Sequence, residues 1–226
     1  MRSVLVTPPA QEPVSLAEAN AWLKAAGEDA TVQSLITTAR QAAEDYTGRA
    51  FVTQTWKLAL DTTCGRRLPD SLPAGRYQLP YNTFSDRLPL FVELPRRPVQ
   101  SVAGVTSYAI DGTPAAYAST GYRLSGDSLV FTAAWPSGLR SLDAADITYV
   151  AGYGDPSQVP AAIKTAVLIA VQSLYAGRAT DDLPAGVKTL KAGDSTITRF
   201  SPSESGPGYL PAPALALLAP YKTYRL

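Results

Sequence analysis

The sequence predicts an α+β fold in which a small helical bundle is interrupted by an inserted antiparallel β domain. Three observations predict it. Apolar residues recur at helical spacing between Leu16 and Tyr46, alternate at every second position from Val52 to Asp61, and return to helical spacing after Pro160. These switches of period set the expected boundaries. Residues 1–50 form an N-terminal helical pair and 51–157 an inserted sandwich or barrel-like β domain. Residues 158–178 form a helix completing the bundle, and 179–226 an extended C-terminal tail with a short terminal helix.

The first helix is announced by a capping box, Ser15-x-x-Glu18, with Val14 before the cap. Leu16, Ala19, Leu23 and Ala26 then share a face, and Gly27 is the expected stop. A second helix begins near Asp29. Val32, Leu35, Ile36, Ala39, Ala43 and Tyr46 make its stripe, and Gly48 follows its last turn. The short connection implies an antiparallel pair.

In Val52–Asp61 the even positions, Val52, Gln54, Trp56, Leu58 and Leu60, form one face of a strand. Residues 62–89, rich in Pro and Arg, read as a long loop or a hairpin with a mobile tip. Short strands are expected at 90–94, 99–108, 122–124, 128–132 and 146–150, with turns at Asp111-Gly112 and Gly126-Asp127. Pro160 suits the start of a helix whose stripe is Ile163, Val167, Ala170, Val171 and Leu174, ending at Gly177. Leu168 and Ile169 make that helix apolar almost all round, a pattern of burial in a bundle or against a neighbouring subunit. Beyond it, Gly, Pro, Ser, Thr and Ala dominate, with a short strand expected at 195–200 and an apolar turn at 214–219.

Composition narrows the chemistry. There is no His among 226 residues, so the commonest general base and metal ligand is missing. Cys64 is the single Cys; it lacks a His to activate it and reads as an incidental loop thiol, although Arg66 and Arg67 adjoin it. The acidic pairs Glu44-Asp45 and Asp181-Asp182 read as solvated surface rather than a hydrolytic pair. No nucleotide-binding or nucleophile-elbow motif is present. The expectation is a protein that is not an enzyme, with no cofactor, no metal and no membrane span, made in the cytoplasm. A net charge of +1 predicts only weak, non-specific contact with DNA. Tyr residues crowd the β region (Tyr77, Tyr81, Tyr108, Tyr117, Tyr122, Tyr149, Tyr153), which suits core and rim packing. The alternative is a carbohydrate-binding β module; a hydrolase lacks any constellation to support it.

Several segments, in order, carry a resemblance. They are Pro13-Val14-Ser15-Leu16-Ala17-Glu18-Ala19, Tyr46-Thr47-Gly48-Arg49, Thr53-Gln54-Thr55-Trp56 and Leu94-Pro95-Arg96-Arg97-Pro98-Val99-Gln100-Ser101-Val102. Tyr149-Val150-Ala151-Gly152-Tyr153-Gly154, Val159-Pro160-Ala161-Ala162-Ile163-Lys164 and Leu217-Leu218-Ala219-Pro220-Tyr221 continue it. The set resembles tailed-phage head–tail connector proteins, the portal adaptor or head-completion family. That resemblance implies a structural virion protein of the phage neck, a ring of twelve subunits beneath the portal. Such a ring extends the DNA channel and offers a docking platform to a downstream neck, stopper or tail-terminator protein. It implies a ring interface on Ile163, Val167, Leu168, Ile169 and Leu174. Arg66, Arg67, Arg96 and Arg97 become candidates for DNA-channel or interface charge. Leu215, Leu217, Leu218, Tyr221, Tyr224, Arg225 and Leu226 become the expected portal anchor, carried on an arm that orders on assembly. In the other outcome weighed, that arm folds back on its own bundle.

Overall fold

The computed structural model describes residues 1–24, 28–62, 88–179, 189–192, 195–198 and 210–223. The chain divides into two compact units, Met1–Pro8 with Gln54–Gly152, and Pro9–Thr53 with Tyr153–Leu226. The backbone therefore passes between them at Pro8–Pro9, Thr53–Gln54 and Gly152–Tyr153. The fold is α+β, and no barrel closes among the described residues.

The first unit contains strands β1 (Arg2–Thr7), β2 (Gln54–Leu60), β3 (Phe91–Glu93), β4 (Val99–Tyr108), β5 (Pro114–Ala116), β6 (Tyr122–Ser125), β7 (Ser128–Phe131) and β8 (Ala145–Ala151). A five-stranded sheet runs β1-β2-β8-β4-β5 and a three-stranded sheet β3-β7-β6, with every pairing antiparallel. The alternation along β2 is what lets it sit near the centre. Gln54, Trp56, Leu58 and Leu60 all turn inward, and Leu58 lies opposite Ile147, which in turn faces Val105. Gly126 takes φ +59 in the two-residue turn joining β6 and β7, a conformation open to glycine.

Two strands of this unit escape the sequence reading. β1 carries too few alternations to register by itself. It exists because the outer edge of β2 offers backbone partners, Arg2 opposite Ala59 through Leu5 opposite Trp56. β5 is only three residues long and pairs with the end of β4. Conversely, β2 stops short of the expected 52–61. The Thr53 N–H turns to Gly154 O and the Thr62 N–H to Ser141 O, so both ends leave the ladder.

The second unit holds α1 (Leu16–Leu23), α2 (Asp29–Thr47), α3 (Ala161–Ala179) and α4 (Ala212–Leu218), with a hairpin of β9 (Thr189–Ala192) and β10 (Ser195–Thr198). The capping box forms. Ser15 Oγ accepts from the Glu18 N–H at 3.2 Å, and Glu18 Oε2 accepts from the Ser15 N–H at 2.8 Å. Helix α1 ends one turn earlier than Gly27 would place it, on Lys24 at φ 53; Ala26 and Gly27 lie outside the described residues. Gly48 closes α2 as expected, with φ +69 and its N–H on Glu44 O. Helix α3 runs through Gly177 to Ala179.

The core of this unit contains Val14, Ala19, Val32, Ile36, Ala39, Ala43, Ile163, Val167, Ala170 and Val171. Phe51 and Val52, expected in the β domain, belong to this core instead, as do Leu210, Ala214 and Leu218 from the C-terminal segment. Burial of apolar area is the main stabilising term here, about 25 cal/mol per Å². Polar groups are buried with it, Arg40, Glu44 and Thr47 among them. Arg40 donates from Nε to Glu12 Oε2 and from Nη1 to Glu44 Oε2, both at 2.7 Å. Glu44 Oε1 accepts from the Phe51 N–H at 2.8 Å. The triad thus ties the entry segment before α1 and the exit segment after α2 to the middle of α2.

Candidate assembly surfaces

The expected interface residues on α3 separate into two groups. Ile163 and Val167 are wholly buried in the chain's own core, so they offer no surface to a neighbour. Leu168, Ile169 and Leu174 pack on that core yet stay partly accessible. The near-uniform apolarity of α3 has a simple cause: α1, α2 and α4 all pack against it. Of the two readings of that pattern, burial in a bundle or against a neighbouring subunit, enclosure by the chain's own helices accounts for most of it.

The C-terminal segment follows the same logic. Leu218 is fully buried, and Leu215, Leu217 and Tyr221 lean on the same core. Polar contacts then fix the chain after α4. Arg49 Nε donates to Tyr221 O at 2.6 Å, the Thr223 N–H donates to Thr47 O at 2.8 Å, and the Lys222 ammonium sits 4.8 Å from the centre of the Tyr46 ring. The expectation of a free arm is corrected over residues 210–223: these residues are built into the helical unit. Tyr224, Arg225 and Leu226 lie outside the described residues.

The candidate charge band is also spent locally. Arg97 faces Glu93 at 3.4 Å and Asp127 at 3.7 Å, while the Arg96 guanidinium lies 4.7 Å from the centre of the Trp56 ring. Cys64, Arg66, Arg67, Tyr77, Tyr81, Asp181 and Asp182 lie outside the described residues. Glu44, read as solvated surface, is buried in the triad.

The aromatic residues of the β unit make a small core. Tyr117, Tyr122, Phe131 and Trp135 meet at centroid distances from 4.4 to 6.3 Å, with Tyr117 edge-on to Phe131. The Trp135 indole N–H donates to Pro89 O, and the Tyr117 hydroxyl donates to Ala133 O. Burial raises the Tyr117 pKa above its ordinary value. Nearby in chemistry, Asp146 is buried and bound by Lys57 at 3.1 Å and by the Tyr108 hydroxyl at 2.9 Å. The bond to Asp146 holds the Tyr108 proton and raises its pKa. Among the described residues no group of three His, Cys, Asp or Glu is placed to hold a metal, and no helix is long and apolar enough to cross a membrane.

Some apolar surface remains accessible. On the β unit, Ile110 and Leu142 stand out on loops, and Val4, Leu5 and Val6 lie along the edge strand β1. On the helical unit, Trp22 of α1 is 46% exposed, with its indole N–H donated to Gln172 Oε1 of α3 at 3.0 Å. An apolar groove of about 230 Å³ runs between α2 and α3, lined by Thr38, Ala39, Gln41, Ala42, Ala170, Leu174 and Leu210. Neither feature was singled out in the sequence. Trp22 falls three residues after Ala19, outside the stripe of Leu16, Ala19, Leu23 and Ala26.

The two-unit α+β architecture defines a class by its fold, and solved structures with that fold exist. The chain is similar to chains in three structures described as the virion of a native gene transfer agent (GTA) particle, the neck of an empty GTA particle computed with C6 symmetry, and the neck of a native GTA particle computed with C12 symmetry. Each match covers 100% of this chain and 97% of the other, at 20% identity and TM-scores of 0.63, 0.64 and 0.63 respectively. No protein-family model matches the sequence, and no curated protein matches it.

Proposed function

We propose that this chain is a structural, non-enzymatic protein of a phage-type neck, an adaptor that forms a ring against the portal. The observation that carries the reading is the end-to-end similarity to chains of GTA neck structures: both units and the C-terminal segment are covered. The one with C12 symmetry agrees with the twelve-subunit ring that the sequence resemblance implies. In this reading the ring extends the DNA channel, docks on the portal protein and receives the next neck, stopper or tail-terminator protein. The place of action is the virion neck, after synthesis in the host cytoplasm. The working principle is interface geometry rather than catalysis.

The carbohydrate-binding alternative needs an exposed aromatic platform. Here Tyr117, Phe131 and Trp135 are turned onto one another, and the Tyr117 hydroxyl and Trp135 indole N–H are committed to backbone carbonyls, which disfavours it. The decisive experiment mixes purified protein with the cognate portal and images the product by electron microscopy. A ring seated on the portal supports the reading. Protein that stays unbound at all stoichiometries, or that binds a glycan array instead, refutes it.

A further inference from the structure

We infer that Trp22 of one subunit inserts into the α2–α3 groove of a second copy, and that this knob-in-groove contact builds the ring. The inference rests on the proposed ring and names the residues that close it.

A ring requires a heterologous contact, in which two different patches of the same chain meet. The helical unit carries two such patches. The first is Trp22, half-exposed on α1, with its indole held in one orientation by the bond to Gln172. A large aromatic side chain fixed before binding loses little freedom on insertion and is the commonest kind of interface anchor. The second is the groove, whose floor is Ala39, Ala170 and Leu210, each almost wholly buried, and whose lip is Thr38, Gln41, Ala42 and Leu174. Its volume of about 230 Å³ suits one bulky side chain and falls below the roughly 300–1,000 Å³ of small-molecule sites. Small residues at the floor let a partner ring approach the helix backbones closely.

Direction decides between a closed pair and a ring. Trp22 lies over the side of α3 that presents Gln172, and the groove is bounded by Ala170 and Leu174 of the same helix. At about 100° per residue, Gln172 points roughly 160–200° away from those two positions. The α3 residue that holds the knob and the α3 residues that line the groove therefore lie on opposite sides of the helix. A self-complementary pair needs them on one side, whereas head-to-tail addition needs them on opposing sides. In a twelve-fold ring each subunit turns about 30° from the last, so its two contact faces point about 150° apart. The placement of Gln172 opposite Ala170 and Leu174 on α3 accords with that requirement.

The test uses the full chain, alone and with the cognate portal protein, read by native mass spectrometry and electron microscopy. Trp22→Ala removes the knob; Ala42→Glu blocks the groove, with Thr38→Arg as a second groove variant. Circular dichroism selects those variants that keep the wild-type fold. Each is expected to lower the ring population at least tenfold at equal concentration. Mixing Trp22→Ala, which retains a groove, with a groove variant, which retains a knob, is expected to give one-to-one dimers and nothing larger. Rings from Trp22→Ala at wild-type yield, or a mixture that stays monomeric while wild type forms rings, overturn the contact and leave the ring reading standing. Wild-type protein that forms no ring in either setting overturns the ring reading and the contact with it.

Discussion

Arg40 illustrates how a single side chain organises its surroundings. Its guanidinium is enclosed with Glu44, and together with Glu12 they hold segments on both sides of the α1–α2 pair. A buried ion pair adds little net stability over an apolar replacement, but removing one partner strands the other charge, at about 3–5 kcal/mol. Arg40→Ala is expected to lower the urea unfolding free energy by about that amount. Replacing Arg40, Glu12 and Glu44 together by apolar residues of similar volume is expected to recover most of the loss. Glu18 gives a pH-dependent counterpart. The Ser15 backbone N–H, and then its hydroxyl, hold the Glu18 carboxyl below its ordinary value. The contribution of the cap is therefore complete above the unfolded-state value of about 4.3 and is lost as pH falls through the lower folded value. In Glu18→Gln that acid-limb loss is expected to disappear, measured as unfolding free energy between about pH 5 and pH 3. The capping box and Gly48 were legible because both are local, formed by residues three or four apart. The burial of Glu44 was not legible, since the Phe51 N–H that it accepts from, and Glu12, which shares Arg40 with it, arrive from outside the helix.

At the scale of elements, the C-terminal segment shows how a partner-like pattern can be satisfied internally. Leu215, Leu217, Leu218 and Tyr221 after a Gly- and Pro-rich stretch read as an anchor for another protein. In the fold, Leu210, Ala214 and Leu218 complete the core against α3, and the backbone beyond α4 is bonded to the end of α2. Leu218→Ala is therefore expected to destabilise the helical unit by about 2–5 kcal/mol. Truncation after Pro211 is expected to abolish its cooperative melting transition rather than leave a folded, docking-deficient subunit; calorimetry distinguishes the two. Strand β1 teaches the same lesson in reverse. All six residues are exposed, so no amphipathic period marks them, and only the waiting edge of β2 makes them a strand.

For the whole molecule, the charge balance sets the expected dealings with DNA. Net charge is +1, and Arg96 and Arg97 are engaged within the β unit. Free duplex is expected to bind no tighter than about 10⁻⁴–10⁻⁶ M near physiological salt, without sequence preference. A gel-shift assay across a salt series checks this, and salt-resistant, sequence-dependent retention contradicts it. In the proposed ring, exposed charged pairs would contribute little, so the exposed Trp22 and the α2–α3 groove carry more weight than any charged pair.

The sequence by itself determined the α+β class, the order of helices and most strands, the cap at Ser15, the stop at Gly48, and the inward face of β2. Each is written in contacts between neighbours in sequence, where period and turn chemistry act directly. The tertiary structure alone decided which apolar faces were already covered. It buried Ile163, Val167 and Leu218 inside the subunit, drew Phe51 and Val52 into the helical core, added β1 to a sheet edge, and left Trp22 and a groove uncovered. The physical reason is that hydrophobic burial has no direction and no address. A stripe of Leu and Ile states that a surface must be covered, and only the packed chain shows whether its own helices or a neighbour's cover it.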